Sequence, residues 1–167
     1  IVIREEEDKI VLLDGQQRLA TTTILFSILR DCAIAIGTDD GKSLGRDIQK
    51  ELIEKKATKA HSLYLNETDN CFFRDIIQKS PAVEQKPKLR SHQLIVAARD
   101  FLRESILGYL KNKSIPDQLA WISSLKETIE TSVAMVAISV KSEDDAYMIF
   151  ETLNDRGLRL STPDLML

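Results

Sequence analysis

Five consecutive residues, Asp14-Gly15-Gln16-Gln17-Arg18, bring an acid, a glycine, two amides and an arginine to one point of the chain. The four apolar residues before them are typical of a strand, and the apolar residues after them are typical of a helix that begins near Gln16. Backbone N–H groups and the positive end of the helix dipole point out of such a strand-to-helix corner. These residue types at this place suit a phosphate or a nucleotide better than they suit architecture alone.

The pattern of the following helix predicts where Arg18 lies. Residues 19–36 are apolar nearly all round, which is typical of a central, buried helix. Counting back by three and four residues along the apolar stripe from Leu25 reaches Arg18, which we therefore expect on the core-facing side. A buried guanidinium needs a carboxylate or a phosphate partner, and an anionic ligand would supply one. The narrow polar stripe of this helix consists of Thr23, Ser27, Arg30 and Asp31.

A purely structural interpretation of the same corner stays open. Asp14 and Gln17 have the spacing of a capping box, and Asp14 alone is a good N-cap. Gly15 could be a turn residue. Arg18 could pair with Asp14 or with an acid elsewhere in the chain. Residue types alone do not decide between a ligand and architecture.

The composition is that of a globular protein of ordinary size. The chain has 167 residues, of which 43% are hydrophobic and 29% charged, enough for one domain with a proper core. A net charge of −3 gives no general attraction to nucleic acid, so any DNA contact would need a local basic patch. The candidates for such a patch are Lys86, Lys88, Arg90, Arg99 and Arg103, although a run of charges is more often a solvated face.

The cysteines and the apolar segments indicate the compartment. Cys32 and Cys71 lie in apolar helical contexts, and we interpret both as reduced core thiols. No apolar run approaches the roughly 20 residues that cross a membrane, and no signal peptide is visible. These features predict a cytoplasmic protein with no membrane partner. Because the chain opens with a strand and stops as a new helix begins near Pro163, we expect residues 1–167 to be one domain of a longer protein.

Local patterns predict an α+β fold that is mostly helical. Residues 1–5 and 9–13 form a hairpin, and the buried helix stops at Gly37. Residues 38–45 are predicted to be a polar loop, and the continuous apolar run 133–138 a strand buried on both faces. A long amphipathic helix is expected over residues 91–110. Its predicted inner stripe is Leu94, Ala98, Phe101, Leu102, Ser105 and Tyr109.

A second group of polar residues follows Ser142, which caps a helix with Asp145 at the reciprocal position. Its members Tyr147, Glu151 and Asn154 share one helical face, and Arg156 and Gly157 form the exit turn. An ordinary helix end explains Gly157. It does not explain why Glu151, Asn154 and Arg156 crowd at one corner.

Several other chemistries find no support in the sequence. The run from Gly37 to Ser43 is one residue short of a phosphate-binding P-loop, follows a helix, and contains two aspartates that would repel phosphate. His61 and His92 have no Cys, His or acid at metal-ligand spacing, so we expect surface or boundary residues. No serine or cysteine has the surroundings of a covalent nucleophile.

The two polar groups together resemble a known family. Asp14-Gly15-Gln16-Gln17-Arg18 after a strand is similar to the DGQQR motif in the N-terminal domain of GmrSD-type, modification-dependent restriction endonucleases, within the ParB/sulfiredoxin-like superfamily. The run from Phe150 to Leu165 is similar to that family's second block, with Phe150-Glu151-x-Leu153-Asn154-x-Arg156-Gly157 followed by Leu160-Ser161-x-x-Asp164-Leu165. The blocks stand in the family's order, separated by a helical insert.

The resemblance implies a small ParB-like sheet core with a helical insert, and a site for a nucleoside triphosphate, GTP being one candidate, with Mg²⁺. It implies that Asp14 holds the metal or orients water, and that Gly15 and Gln16 offer N–H groups to phosphate. Gln17 would orient water or a phosphate oxygen, and Arg18 would neutralise developing charge. Glu151, Asn154 and Arg156 would be further nucleotide-binding residues.

The resemblance also has gaps. The upstream segment with which the family usually opens is absent from this sequence, and so is the histidine-rich signature of the HNH-type nuclease domain that often follows. We therefore expect an NTP-hydrolysing domain of a phage-defence restriction protein that reaches DNA through the full-length protein, with the nuclease in cis or in trans. The alternative is a ParB-like module that binds DNA or a partner and hydrolyses nothing.

Overall fold

The computed structural model describes residues 1–6, 9–54 and 61–154, with the side chains of Glu143, Phe150 and residues 152–154 left out. The chain divides into two compact units. One comprises Ile1–Gln16 and Met135–Leu167, and the other comprises Gln17–Ala134. The prediction of a mostly helical α+β fold with a small sheet is confirmed.

The sheet lies in the first unit and contains three described strands. Strand β1 (Val2–Glu6) pairs antiparallel with β2 (Lys9–Asp14), as the hairpin pattern predicts. Strand β3 (Ile138–Ser139) runs parallel to β1, so the order is β2-β1-β3. The pairing shifts by one residue at the end of the hairpin, where Ile3 faces Leu12 but Val2 faces Asp14. A bulge of this kind re-aims the last strand residue, which here is Asp14.

The prediction of a buried strand over residues 133–138 is wrong. In the described chain, β3 is only two residues long, and Val136 before it is 75% exposed. The reason is the position of β3 at one edge of the sheet, beside β1 alone. A short apolar run does not reveal from its own periodicity whether neighbours cover both of its faces.

The second unit is built around helix α1 (Gln16–Ala35), whose first residue still belongs to the sheet unit. It ends before Gly37, which has a φ of +82°. The other described helices of this unit are α2 (Asp39–Ile48), α3 (Glu67–Phe73), α4 (Arg90–Leu110) and α5 (Ile115–Ser132). Two π-helical segments, Gln49–Ile53 and Arg74–Gln78, continue α2 and α3. The largest fully buried apolar side chains described in this unit are Leu29, Ile48, Ile53, Phe73, Ile77 and Ile122.

Helix α2 replaces the polar loop predicted over residues 38–45. The Thr38 hydroxyl caps it by accepting the N–H of Gly41 at 3.1 Å. Gly41 and Gly45 lie one turn apart against α1, where a Cβ on either residue would collide with Ala33 or Ile34. Two of the three buried residues of α2 are glycines, and the segment is otherwise rich in polar residues such as Asp and Ser, so its residue types favour a loop. The run from Gly37 to Ser43, whose sequence does not fit a P-loop, therefore forms the start of α2.

Helix α4 occupies its predicted residues, and its predicted inner stripe is buried only in part. Ala98 and Leu102 pack against the core, whereas Phe101, at the centre of that stripe, is 70% exposed. The buried residues His92, Ile106 and Leu110 show that the buried face is rotated away from the predicted one. Helix α6 (Glu143–Asn154) belongs to the sheet unit, and the helix expected near Pro163 lies outside the described residues. No described helix is long and apolar enough to cross a membrane.

Candidate functional site

The corner between β2 and α1 contains the first polar group. Strand β2 ends at Asp14, and α1 begins at Gln16. Gly15 makes the turn with a φ of +95°, in the left-handed region that favours glycine. The sequence therefore predicts this corner correctly. Gly15 occupies the position directly before the helix, and Asp14 precedes it at the end of β2.

The absence of a side chain at Gly15 has a second structural reason. A Cβ there would collide with the side chain of Ile1. The space beside the Cα of Gly15 is thus filled by protein, and a phosphate would have to approach the N–H groups of this turn from another direction. Gln16 supports the same corner, because its Nε2 donates to the carbonyl of Leu12 at 2.9 Å.

The first turn of α1 is exposed and polar. Gln16, Gln17 and Arg18 are all exposed, and no acid lies in this turn to offset the positive end of the helix dipole. The expectation that Arg18 faces the core is wrong. The buried part of α1 starts only at Ile24, so stepping back along the apolar stripe extends that stripe beyond the core. The arrangement nonetheless presents N–H groups, amides and a cation to solvent, a combination that suits an anion.

The second polar group is described only in part. The Ser142 hydroxyl accepts the N–H of Asp145 at 3.1 Å, which confirms the predicted cap of α6. Helix α6 packs against β2, the strand that ends in Asp14. Glu151 is exposed and hydrogen-bonds Tyr147, which raises the pKa of the tyrosine. The side chain of Asn154, and all of Arg156, lie outside the described residues.

A polar cluster that the sequence did not predict surrounds Arg30. This arginine was assigned to the polar stripe of α1, yet its side chain is 0% exposed. Its Nε bonds Asp31 Oδ1 at 2.7 Å, and its terminal nitrogens bond Gln49 Oε1 at 2.6 Å and the carbonyls of Ile77 and Gln78 at 3.2 and 3.1 Å. Those carbonyls end the second π-helical segment, where a cation is favoured by the dipole. Arg30 therefore closes a helix end and joins three segments.

The only sequence signal for the structural role of Arg30 was the narrowness of the polar stripe on α1. Four polar residues on an otherwise apolar helix can mark a solvent-facing line or a buried network. Gln49 extends the network, because its Nε2 donates to Glu54 Oε1 at 2.7 Å and to the carbonyl of Gln78 at 3.0 Å. The acceptors of Arg30 lie up to 48 residues away in the chain, beyond the range of any local pattern.

Two predictions about cysteine and histidine need correction. Cys32 is buried as expected, and burial, followed by the charge of Asp31, raises the pKa of its thiol to about 11, but Cys71 is exposed. His92 is buried rather than at a boundary, because its ring stacks on Phe72 with centroids 3.9 Å apart. None of these observations indicates a nucleophile.

The basic residues considered for DNA contact do not form a purely positive surface. Arg99 and Arg103 line a cavity of about 110 Å³ together with the acids Asp31 and Glu84. Arg99 also pairs with Asp100 at 2.9 Å. A small cavity lined by charges of both signs favours neither an anion nor a cation. We therefore interpret these basic residues as part of a solvated face rather than as a DNA-binding patch.

The corner fits the implied nucleotide and metal in part. Within residues 1–6, 9–54 and 61–154, no three His, Cys, Asp or Glu side chains are grouped to hold a metal. A Mg²⁺ ion bound with a nucleotide needs fewer protein ligands, often one or two carboxylates besides phosphate and water. Asp14 could serve as one such ligand, and the N–H groups at the exposed start of α1 could donate to phosphate oxygens.

Comparison with known proteins identifies the family of the chain. No curated protein matches the chain. The family described as the N-terminal domain of the GmrSD restriction endonuclease matches residues 1–167, the whole length of the chain. The chain thus belongs to the GmrSD restriction endonuclease N-terminal domain family.

Proposed function

We propose that this domain binds a nucleoside triphosphate with Mg²⁺ at the corner of β2 and α1 and hydrolyses it. One observation carries the proposal. Gly15 turns the chain from Asp14, the end of β2, into the first turn of α1, where Gln16, Gln17 and Arg18 are exposed and no acid lies. Family membership supports coupling of this turnover to the recognition or cleavage of foreign or modified DNA by a restriction protein.

Each residue of the corner would have its own role in the hydrolysis of the nucleoside triphosphate. Water attacks the γ-phosphorus, the bond to the bridging oxygen breaks, and the products are a nucleoside diphosphate and phosphate. Asp14 would hold Mg²⁺, which when bound supplies charge neutralisation between the phosphates. The amide of Gln17 would orient the attacking water, and Arg18 would stabilise charge on the leaving oxygen. Glu151, Asn154 and Arg156 would bind the nucleotide, as the family resemblance implies.

The test is phosphate release by the full-length protein from a panel of nucleoside triphosphates with Mg²⁺, with and without DNA. Asp14→Ala should abolish release while the protein stays folded. Asp39→Ala is the matched control, because it removes an exposed acid next to another helix start and should leave release unchanged. Release that survives Asp14→Ala would exclude this corner as the site of hydrolysis.

A second function is favoured by the packing at Gly15, which Ile1 explains without any ligand. In that case the domain is a module that binds DNA or a partner protein and has no turnover. No release from any nucleotide by the full-length protein, in the presence and absence of DNA, would select this alternative. DNA and HNH-type nuclease partners, in cis or in trans, are common to both hypotheses.

A further inference from the structure

Helix α4 has an apolar face that no described part of the chain covers. Leu94 and Phe101 are 63% and 70% exposed. They lie seven residues apart, which on a helix places them within about 20° of one direction. Leu110, nine residues after Phe101, is buried on the opposite side. Phe101 therefore points away from the core, and its exposure does not come from lying at the edge of the buried face.

Gly108 continues the same line seven residues after Phe101. Apart from the backbone of its own helix, no atom of the described residues lies within 4 Å of the place where its Cβ would be. A glycine weakens a helix relative to an alanine, and the described packing gives no steric reason for it here. The missing side chain leaves a notch in the surface about two turns beyond Phe101.

We infer that this outward face of α4, defined by Leu94, Ala97, Phe101, Ser105 and Gly108, pairs antiparallel with the same face of a second copy of the chain. The spacing carries the inference. Leu94 and Gly108 each lie seven residues from Phe101, so a two-fold axis through Phe101 seats each Leu94 in the partner's Gly108 notch. The small residues Ala97 and Ser105 each lie four residues from Phe101 and also face each other. The face is self-complementary, as a two-fold interface requires.

The charges on this face select the antiparallel direction. In a parallel pair Glu104 would face the partner's Glu104, and the two Gly108 notches would meet and leave a gap. In the antiparallel pair Glu104 faces the partner's Ala98, and Arg90 faces the partner's Asn112, so no like charges oppose each other. Opposed helix dipoles favour the same direction.

Sedimentation velocity of the full-length protein over a range of concentrations tests the pairing. We expect dimers whose dissociation constant rises at least 100-fold on Phe101→Ser. Gly108→Leu should raise it at least tenfold, although leucine favours the helix, because it fills the space for Leu94. Val136→Ser is the control, since Val136 is equally exposed but lies outside this face. A monomeric wild-type protein, or a dimer that tolerates both α4 variants, would overturn the inference.

Oxidative cross-linking tests the direction in a Cys71→Ser background, which removes the exposed native thiol. Phe101→Cys lies on the two-fold axis and should form a disulfide-linked dimer at protein concentrations above its raised dissociation constant, because the disulfide traps the pair once it forms. Leu94→Cys alone should not, because the two positions would be about 21 Å apart along the axis. A mixture of the Leu94→Cys and Gly108→Cys proteins should cross-link. If Leu94→Cys links to itself and the mixture contains no link between position 94 of one chain and position 108 of the other, the pair is parallel and the antiparallel arrangement is refuted.

Discussion

The first turn and the middle of α1 each carry an arginine, and the two side chains have opposite surroundings. Arg18 is exposed in a turn of amides without an acid. Arg30, twelve residues later, is fully buried and donates to Asp31, Gln49 and the carbonyls that end the second π-helical segment. The position of each arginine relative to the core therefore decides its role. Arg30 holds segments together in the core, whereas Arg18 lies at the solvent-exposed start of the helix.

The largest effect on stability is expected for Arg30→Ala. The substitution leaves Gln49 Oε1 and the carbonyl of Ile77 without their donor in the core, and the carbonyl of Gln78 with Gln49 Nε2 as its remaining donor. The free energy of unfolding, measured with urea, should fall by about 3–5 kcal/mol. Arg30→Lys should recover only part of this, because one ammonium group cannot reach all of these acceptors. A loss below about 1 kcal/mol would mean that the network does not stabilise the fold.

The next largest effect is expected for Gly15→Ala at the exposed corner. The new Cβ is strained by the φ of +95° and collides with Ile1, so we expect a loss of about 2–4 kcal/mol. Gly37→Ala is a matched control, because Gly37 has a similar φ but open space around it. It should cost only about 1–2 kcal/mol. Equal losses in the two variants would show that Ile1 does not fill this space.

A smaller, pH-dependent effect is expected at Asp75, in the π-helical segment that Arg30 closes. The hydrogen bond from Arg74, and then that from Lys79, hold the pKa of Asp75 below its ordinary value of 3.8. Its contribution to folding is therefore complete above that value and is lost as the pH falls through the lower pKa of the folded state. Asp75→Asn should lower stability at pH 7 by about 1 kcal/mol and flatten the acid limb of the stability profile. Unchanged acid sensitivity would contradict this assignment.

The smallest effect on stability is expected for Arg18→Ala, the counterpart of Arg30→Ala. An exposed side chain of this kind contributes roughly 0–1 kcal/mol to folding. Phosphate release should nevertheless fall by about 10³-fold or more if Arg18 stabilises the transferring phosphate. Stability and turnover measured on the same preparation separate the two roles. If Arg18→Ala is destabilised as strongly as Arg30→Ala, the role of Arg18 is structural rather than catalytic.

Local sequence patterns predicted much of the corner between β2 and α1, but less of the packing in the core. Gly15, Gln16 and Gly37 mark a turn, a helix start and a helix end, and each follows from the conformational preferences of a few neighbouring residues. The predicted inner stripe of α4 was correct only at Ala98 and Leu102, because Ile95 and Ile106 extend the apolar surface beyond that stripe and the core covers their side of the helix. Helix α2 was missed, because Gly41 and Gly45 bury backbone rather than side chains against α1.

The sequence by itself determined the hairpin, the strand-to-helix corner, the limits of α1 and the family, since these depend on short-range patterns and on two motifs. Only the tertiary structure decided that Arg30 is buried and Arg18 exposed, and that Phe101 faces outward. The physical reason is that burial depends on which distant segment packs at each position. The carbonyls that Arg30 meets belong to Ile77 and Gln78, and no pattern within α1 refers to them.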